Sequence, residues 1–173
     1  SRAPDAETQY AAVAAQVASD AGLLMDRTRY LRDTGNEASA RFLMARTHSF
    51  TTRPANPQTY LELATAVARG AASDRQYQTA YDIARQVDDV FPAGADVALQ
   101  PLGVRDDYTN LTWTGGEMAL VYLNRPADAV TLFDRYSHGG RSLQVMTKGA
   151  YWAGRAATTA GQLENATSYF ERA

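Results

Sequence analysis

Near the end of the chain Gly154 is followed seven residues later by Gly161, five later by Ala166, four later by Phe170 and three later by Ala173. This small, turn, small, aromatic, small spacing is that of a tetratricopeptide-like helical hairpin. A small residue on each helix lets the two axes approach closely, and the aromatic fills the groove toward the next hairpin. The same register fits three earlier segments in order. The first has Leu24, Leu31, a turn at Gly35, Ala40, Met44 and Thr47. The second has Ala64, Ala68, Ala71, a turn near Arg75, Ala80, Ala84 and Val87. The third has Trp113, Gly116, Leu120, a turn at Asn124, Ala129, Phe133 and Tyr136. The anchors Ala40, Ala80, Ala129 and Ala166 lie 40, 49 and 37 residues apart, close to helical-repeat length. The ordered series, more than any single match, predicts an all-α chain of four degenerate hairpins stacked as a superhelical solenoid.

The rest of the sequence agrees with that class. Apolar and small residues recur at intervals of three and four, and alternating runs of Val, Ile and Thr are missing, which favours helix throughout. Helices are expected near 5–21, 23–34, 36–47, 57–72, 75–89, 105–124, 126–136, 143–160 and 163–173. Gly22, Gly35, the Gly139–Gly140 pair and Gly161 can cap or turn them, and Pro57 and Pro126 suit a first helical turn. With no interdomain linker in the composition, residues 1–173 read as one α-superhelical domain. The chain reaches Ala173 inside a helical pattern with no stop signal, so it is expected to be a piece of a longer protein, cut by design or by proteolysis.

The chain has no cysteine, which excludes disulfides, Cys-based zinc sites and thiol nucleophiles. A net charge of −2 gives no electrostatic ground for nucleic-acid binding. No apolar run approaches the roughly 18–20 residues of a membrane span, so no span is expected, and the first ten residues lack the regions of a signal peptide.

Two stretches carry a family likeness. One is the run from Asp106 to Gly140, with its aromatic and glycine helix from Trp113 to Leu123 and its short helix from Pro126 to Phe133. The other is the closing hairpin, with Tyr151, Trp152, Gly154, Arg155 and Ala156. Together with the upstream hairpins, roughly Leu23 to Ala173, they resemble the noncatalytic superhelical region of soluble lytic murein transglycosylases. The chain departs from that family at Thr112–Gly116, where acidic, Trp, Leu, Ala, Gly is usual. The resemblance implies a periplasmic setting and a scaffold that holds the peptidoglycan glycan strand and positions a lysozyme-like domain. The parent enzyme would be a non-hydrolytic glycan lyase leaving an anhydromuramyl end. The family's catalytic glutamate is followed by serine. None of Glu7, Glu37, Glu62, Glu117, Glu164 or Glu171 is, so no catalytic residue carries over. A freestanding tetratricopeptide-like module that binds a peptide or protein is the reading from another class.

Glycan cleavage needs a carboxyl group whose pKa is raised. The only acidic pairs are Asp88–Asp89 and Asp106–Asp107, and neighbours on a helix point about 100° apart. Asp106 or Asp107 is therefore expected to help start a helix, and Asp88 and Asp89 to sit on a solvated face. His48 and His138, the only histidines, fall near helix ends or loops without metal-ligand spacing, so neither a metal nor a cofactor is expected. Trp113, Tyr151 and Trp152 could stack on sugar rings, although their helical spacing suits packing between hairpins better. Arg155 reads as an interhairpin ion-pair or helix-end partner. The glycosylation sequons at Asn110 and Asn165 fall in expected helices.

Overall fold

A computed structural model describes residues 5–173 of the chain. Among the described residues there are nine α-helices and no strand, only an isolated bridge between Asp20 and Thr52. The helices are α1 (Asp5–Val13), α2 (Ala21–Asp33), α3 (Glu37–Ala45), α4 (Pro57–Ser73), α5 (Tyr77–Ala84), α6 (Leu102–Glu117), α7 (Pro126–Gly139), α8 (Leu143–Thr159) and α9 (Leu163–Arg172). Four hairpins, α2–α3, α4–α5, α6–α7 and α8–α9, pack in sequence order. Contacts of α3 with α5, α4 with α6 and α7 with α8 join each hairpin to the next.

Every hairpin turns on one left-handed residue at a position expected from the spacing: Gly35 (φ 78°), Arg75 (φ 61°), Asn124 (φ 52°) and Gly161 (φ 74°). In three of them the next N–H reaches back five residues, from Asn36 to Leu31, Gln76 to Ala71 and Gln162 to Ala157, at 2.7, 2.8 and 2.8 Å. These bonds satisfy the last carbonyls of the first helix. The third turn differs. Met118–Tyr122 winds as a π-helix, and Arg125 donates to Ala119, six residues back, at 2.8 Å. One extra residue therefore enters the turn, and Gly116 lies eight residues before it where Thr28, Ala68 and Gly154 lie seven.

The anchors Ala40, Ala80 and Ala129 are completely buried and Ala166 nearly so. Gly116 and Gly154 do the same job in successive hairpins. A Cβ on Gly116 would lie 2.8 Å from the Phe133 ring, and one on Gly154 would lie 2.8 Å from the Phe170 ring. Gly115 brings α6 against both neighbours, since a Cβ there would meet Ala84 at 2.6 Å and Leu132 at 2.7 Å. Apolar burial runs in two clusters that meet along α5 and α6.

Several boundaries differ from expectation for local reasons. The first helix ends at Val13 and passes through a 3₁₀ turn at Ala14–Gln16. Asp20 then caps α2 by accepting from the Leu23 N–H at 3.1 Å, which places Gly22 inside α2 and not at a turn. The fifth helix stops at Ala84, and a 3₁₀ segment, Val87–Val90, follows. Gln86 turns its side-chain amide to the Asp82 and Arg46 carbonyls, at 3.0 and 3.1 Å, and ties this end to the first hairpin. The sixth helix begins at Leu102, so Asp106 and Asp107 lie in its second turn and do not start it. As expected, Pro57 and Pro126 open α4 and α7. No helix among the described residues is long and apolar enough to cross a membrane.

Candidate functional site

The four sequence candidates come together where the third and fourth hairpins join. Helix α6 presents Trp113, and α8 presents Tyr151, Trp152 and Arg155. The Trp113 ring lies 5.1 Å from Phe133, 5.2 Å from Tyr136 and 6.0 Å from Trp152. The Lys148 ammonium sits 3.6 Å from the Trp113 centroid, a cation held over the electron-rich face of the indole. Both tryptophans are half-buried, and this cluster cements the joint between hairpins.

Tyr151 and Arg155 lie on the outer side of the same cluster. Tyr151 packs edge-on against Trp152 at 5.9 Å and near Phe170 at 6.0 Å, and it remains 42% exposed. Arg155 Nη1 donates to the Tyr151 hydroxyl at 3.2 Å, and its guanidinium lies 5.7 Å from the Trp152 centroid. Among the described residues Arg155 thus bonds within its own helix, in place of the expected interhairpin ion pair or helix-end contact. An exposed phenol, an indole edge and a guanidinium can stack on and hydrogen-bond a ring-shaped polar ligand.

The acidic pairs have distinct roles. Asp88 and Asp89 sit on the tight Val87–Val90 segment, Asp88 exposed and Asp89 half-buried, and beyond the expected solvated face they pair with opposite neighbours. Asp88 accepts from the Tyr108 hydroxyl at 2.7 Å and pairs with Arg135 at 2.9 Å, linking forward to the third hairpin. Asp89 lies 3.0 Å from His48 Nδ1, linking back to the first. Burial and the Asp88 carboxylate push the Tyr108 phenol well above its ordinary range. Asp107 is half-buried, and burial and Glu62 raise its carboxyl while a hydrogen bond from Gln58 opposes them.

His48 is the polar centre of the first interhairpin joint. Its ring stacks on Phe50 at 4.3 Å, its Nε2 lies 3.1 Å from the Tyr60 hydroxyl, and its backbone N–H donates to Gln86 at 2.9 Å. Burial drives the imidazole below 6.5, Asp89 acts in the opposite direction, and Arg85 adds to the lowering. No group of three or more candidate metal ligands occurs among the described residues. His138 lies on the surface, 3.4 Å from Asp134. Both sequon residues, Asn110 and Asn165, are exposed within helices.

Sequence reasoning missed the His48–Asp89 and Asp88–Arg135 links, because their partners stand 41 and 47 residues apart with no local pattern to join them. It also passed over a groove beside α3 that exposes Phe42, which becomes visible once the four hairpins are set in register. Comparison with protein-family models, with curated proteins and with solved structures finds no match.

Proposed function

We propose that the chain is a noncatalytic superhelical scaffold from a periplasmic peptidoglycan lytic transglycosylase. In this reading the hairpins form part of a curved arc that holds a murein strand and positions a lysozyme-like domain. The observation that carries it is the fit of the Tyr151–Ala156 motif to one structural task. Trp152 seals the joint to the third hairpin, Gly154 admits Phe170, Ala156 is completely buried, and Tyr151 with Arg155 faces outward. An outward aromatic and guanidinium beside a closed joint suit a surface along which a glycan strand runs.

The scaffold contributes contacts and geometry and leaves bond cleavage to the lysozyme-like domain. Isolated sacculi incubated with the purified chain should release no anhydromuramyl products above a heat-inactivated control, as read by mass spectrometry. Release above that control would overturn the noncatalytic assignment.

The reading as a tetratricopeptide-like interaction module is favoured by a different observation. The first hairpin exposes Phe42 beside a groove, where a scaffold element that only stacks would carry polar residues.

A further inference from the structure

The four turns give the hairpins a common register, and that register isolates one unusual face. Three, seven and ten residues after the turn, the second hairpin carries Gln78, Asp82 and Arg85. The third carries Ala127, Thr131 and Asp134, and the fourth Glu164, Ser168 and Glu171. None of these nine residues is buried. The first hairpin has Ala38, Phe42 and Ala45 at the same positions. Phe42 is 69% exposed, more than any other aromatic among the described residues. Stacking the hairpins does not call for an apolar residue here, since three of the four do without one.

Phe42 borders a groove of about 650 Å³ between α3 and α5, with Tyr77 and Leu123 also in its wall. Its charged lining comprises Arg41, Arg46, Arg75 and Asp82, an excess of positive charge. Arg41 is held by Asp74 at 2.7 Å, and Asp82 pairs with Arg85 at 3.1 Å. The side chains of Arg46 and Arg75 have no ion-pair or hydrogen-bond partner among the described residues. Register sharpens this point for Arg46, whose counterparts eleven residues after the turn are Arg135 and Arg172 in the third and fourth hairpins. Arg135 pairs with Asp88 at 2.9 Å and Arg172 with Asp134 at 3.1 Å. The second hairpin has Gln86 at this position, and the place that holds a carboxylate in the third and fourth hairpins is open to one at Arg46.

We propose that this groove binds a short acidic segment of a partner protein. A bulky apolar side chain rests on Phe42, and flanking carboxylates pair with Arg46 and Arg75. Charge complementarity selects this occupant over a neutral or basic segment, and the assignment does not depend on the murein reading.

The test uses a fluorescein-labelled peptide with a central Leu-Phe pair flanked on each side by three Asp or Glu residues. The control peptide has lysine at every acidic position. Saturable fluorescence anisotropy is expected, with half-saturation below about 100 µM. Binding should weaken at 0.5 M salt because the exposed charge pairs are screened. Phe42→Ser, Arg46→Glu and Arg75→Glu should each weaken binding at least about tenfold, a loss of about 1.4 kcal/mol, and the lysine peptide should not bind. The altered side chains are exposed, and thermal melts of each variant establish that the fold is kept. Absence of saturable binding, equal binding of the lysine peptide, or unchanged binding by folded Phe42→Ser and Arg46→Glu would overturn the proposal. A dimer in sedimentation velocity that Phe42→Ser disperses would also overturn it, assigning the groove to a second copy of the chain.

Discussion

His48 shows how a single residue joins neighbouring hairpins and also makes their joint sensitive to acid. Its ring lies between Phe50, Tyr60 and Asp89, and burial holds its pKa below the ordinary 6.5. Between that depressed value and 6.5 the unfolded chain binds more protons than the folded one. The contribution to stability is therefore fully present above pH 6.5 and is lost as pH falls toward the folded-state value. The His48 ring protons should titrate in NMR with a midpoint below 6.5, and Tm should fall on acidification from pH 7.5 to 5. The part of that fall due to His48 should vanish in His48→Gln, even if the variant is less stable at every pH. A midpoint above 6.5 would reverse the sign. None of this was legible in the sequence, where His48 was only a loop histidine and Asp89 one of two adjacent acids. Neighbouring carboxylates serve separate joints because the tight segment that carries them aims them in different directions.

At the scale of the element, spacing exposed most of the fold. Gly35, Arg75, Asn124 and Gly161 mark the four turns, because a hairpin needs a left-handed residue there and the buried anchor must follow five residues later. What spacing hid was irregular winding. The π-turn at Met118–Tyr122 adds a residue between Gly116 and Asn124, and the side chains of Asp20 and Gln86 redirect the chain at the ends of two expected helices. Gly116 and Gly154 allow a sharp comparison. Glycine to alanine within a helix gains roughly 1 kcal/mol in propensity, whereas overpacking a filled core costs about 1–3 kcal/mol. Phe133 is 1% exposed and has no room to yield, but Phe170 is 41% exposed and can swing outward. Gly116→Ala should thus lower the stability measured by denaturant unfolding, by about 1 kcal/mol net. Gly154→Ala should leave it unchanged or slightly raised. Equal losses at the two sites would show that the rings do not set the cost.

At the scale of the molecule, each hairpin closes against the next through a different chemistry. The first joint uses His48 and Gln86, the second Asp88 with Tyr108 and Arg135, and the third Trp113, Trp152 and Lys148. Helical class and hairpin order were legible because they depend on small residues at fixed intervals. The candidate site was legible only in part. Trp113, Tyr151, Trp152 and Arg155 do cluster, but the division between sealed indoles and outward phenol and guanidinium follows from how α8 lies on α6 and α7. The scaffold assignment is tested most directly by reading the coding sequence that follows Ala173. It predicts further helical hairpins and then a lysozyme-like domain with a Glu-Ser pair, whereas a stop codon or an unrelated domain at that point would contradict it.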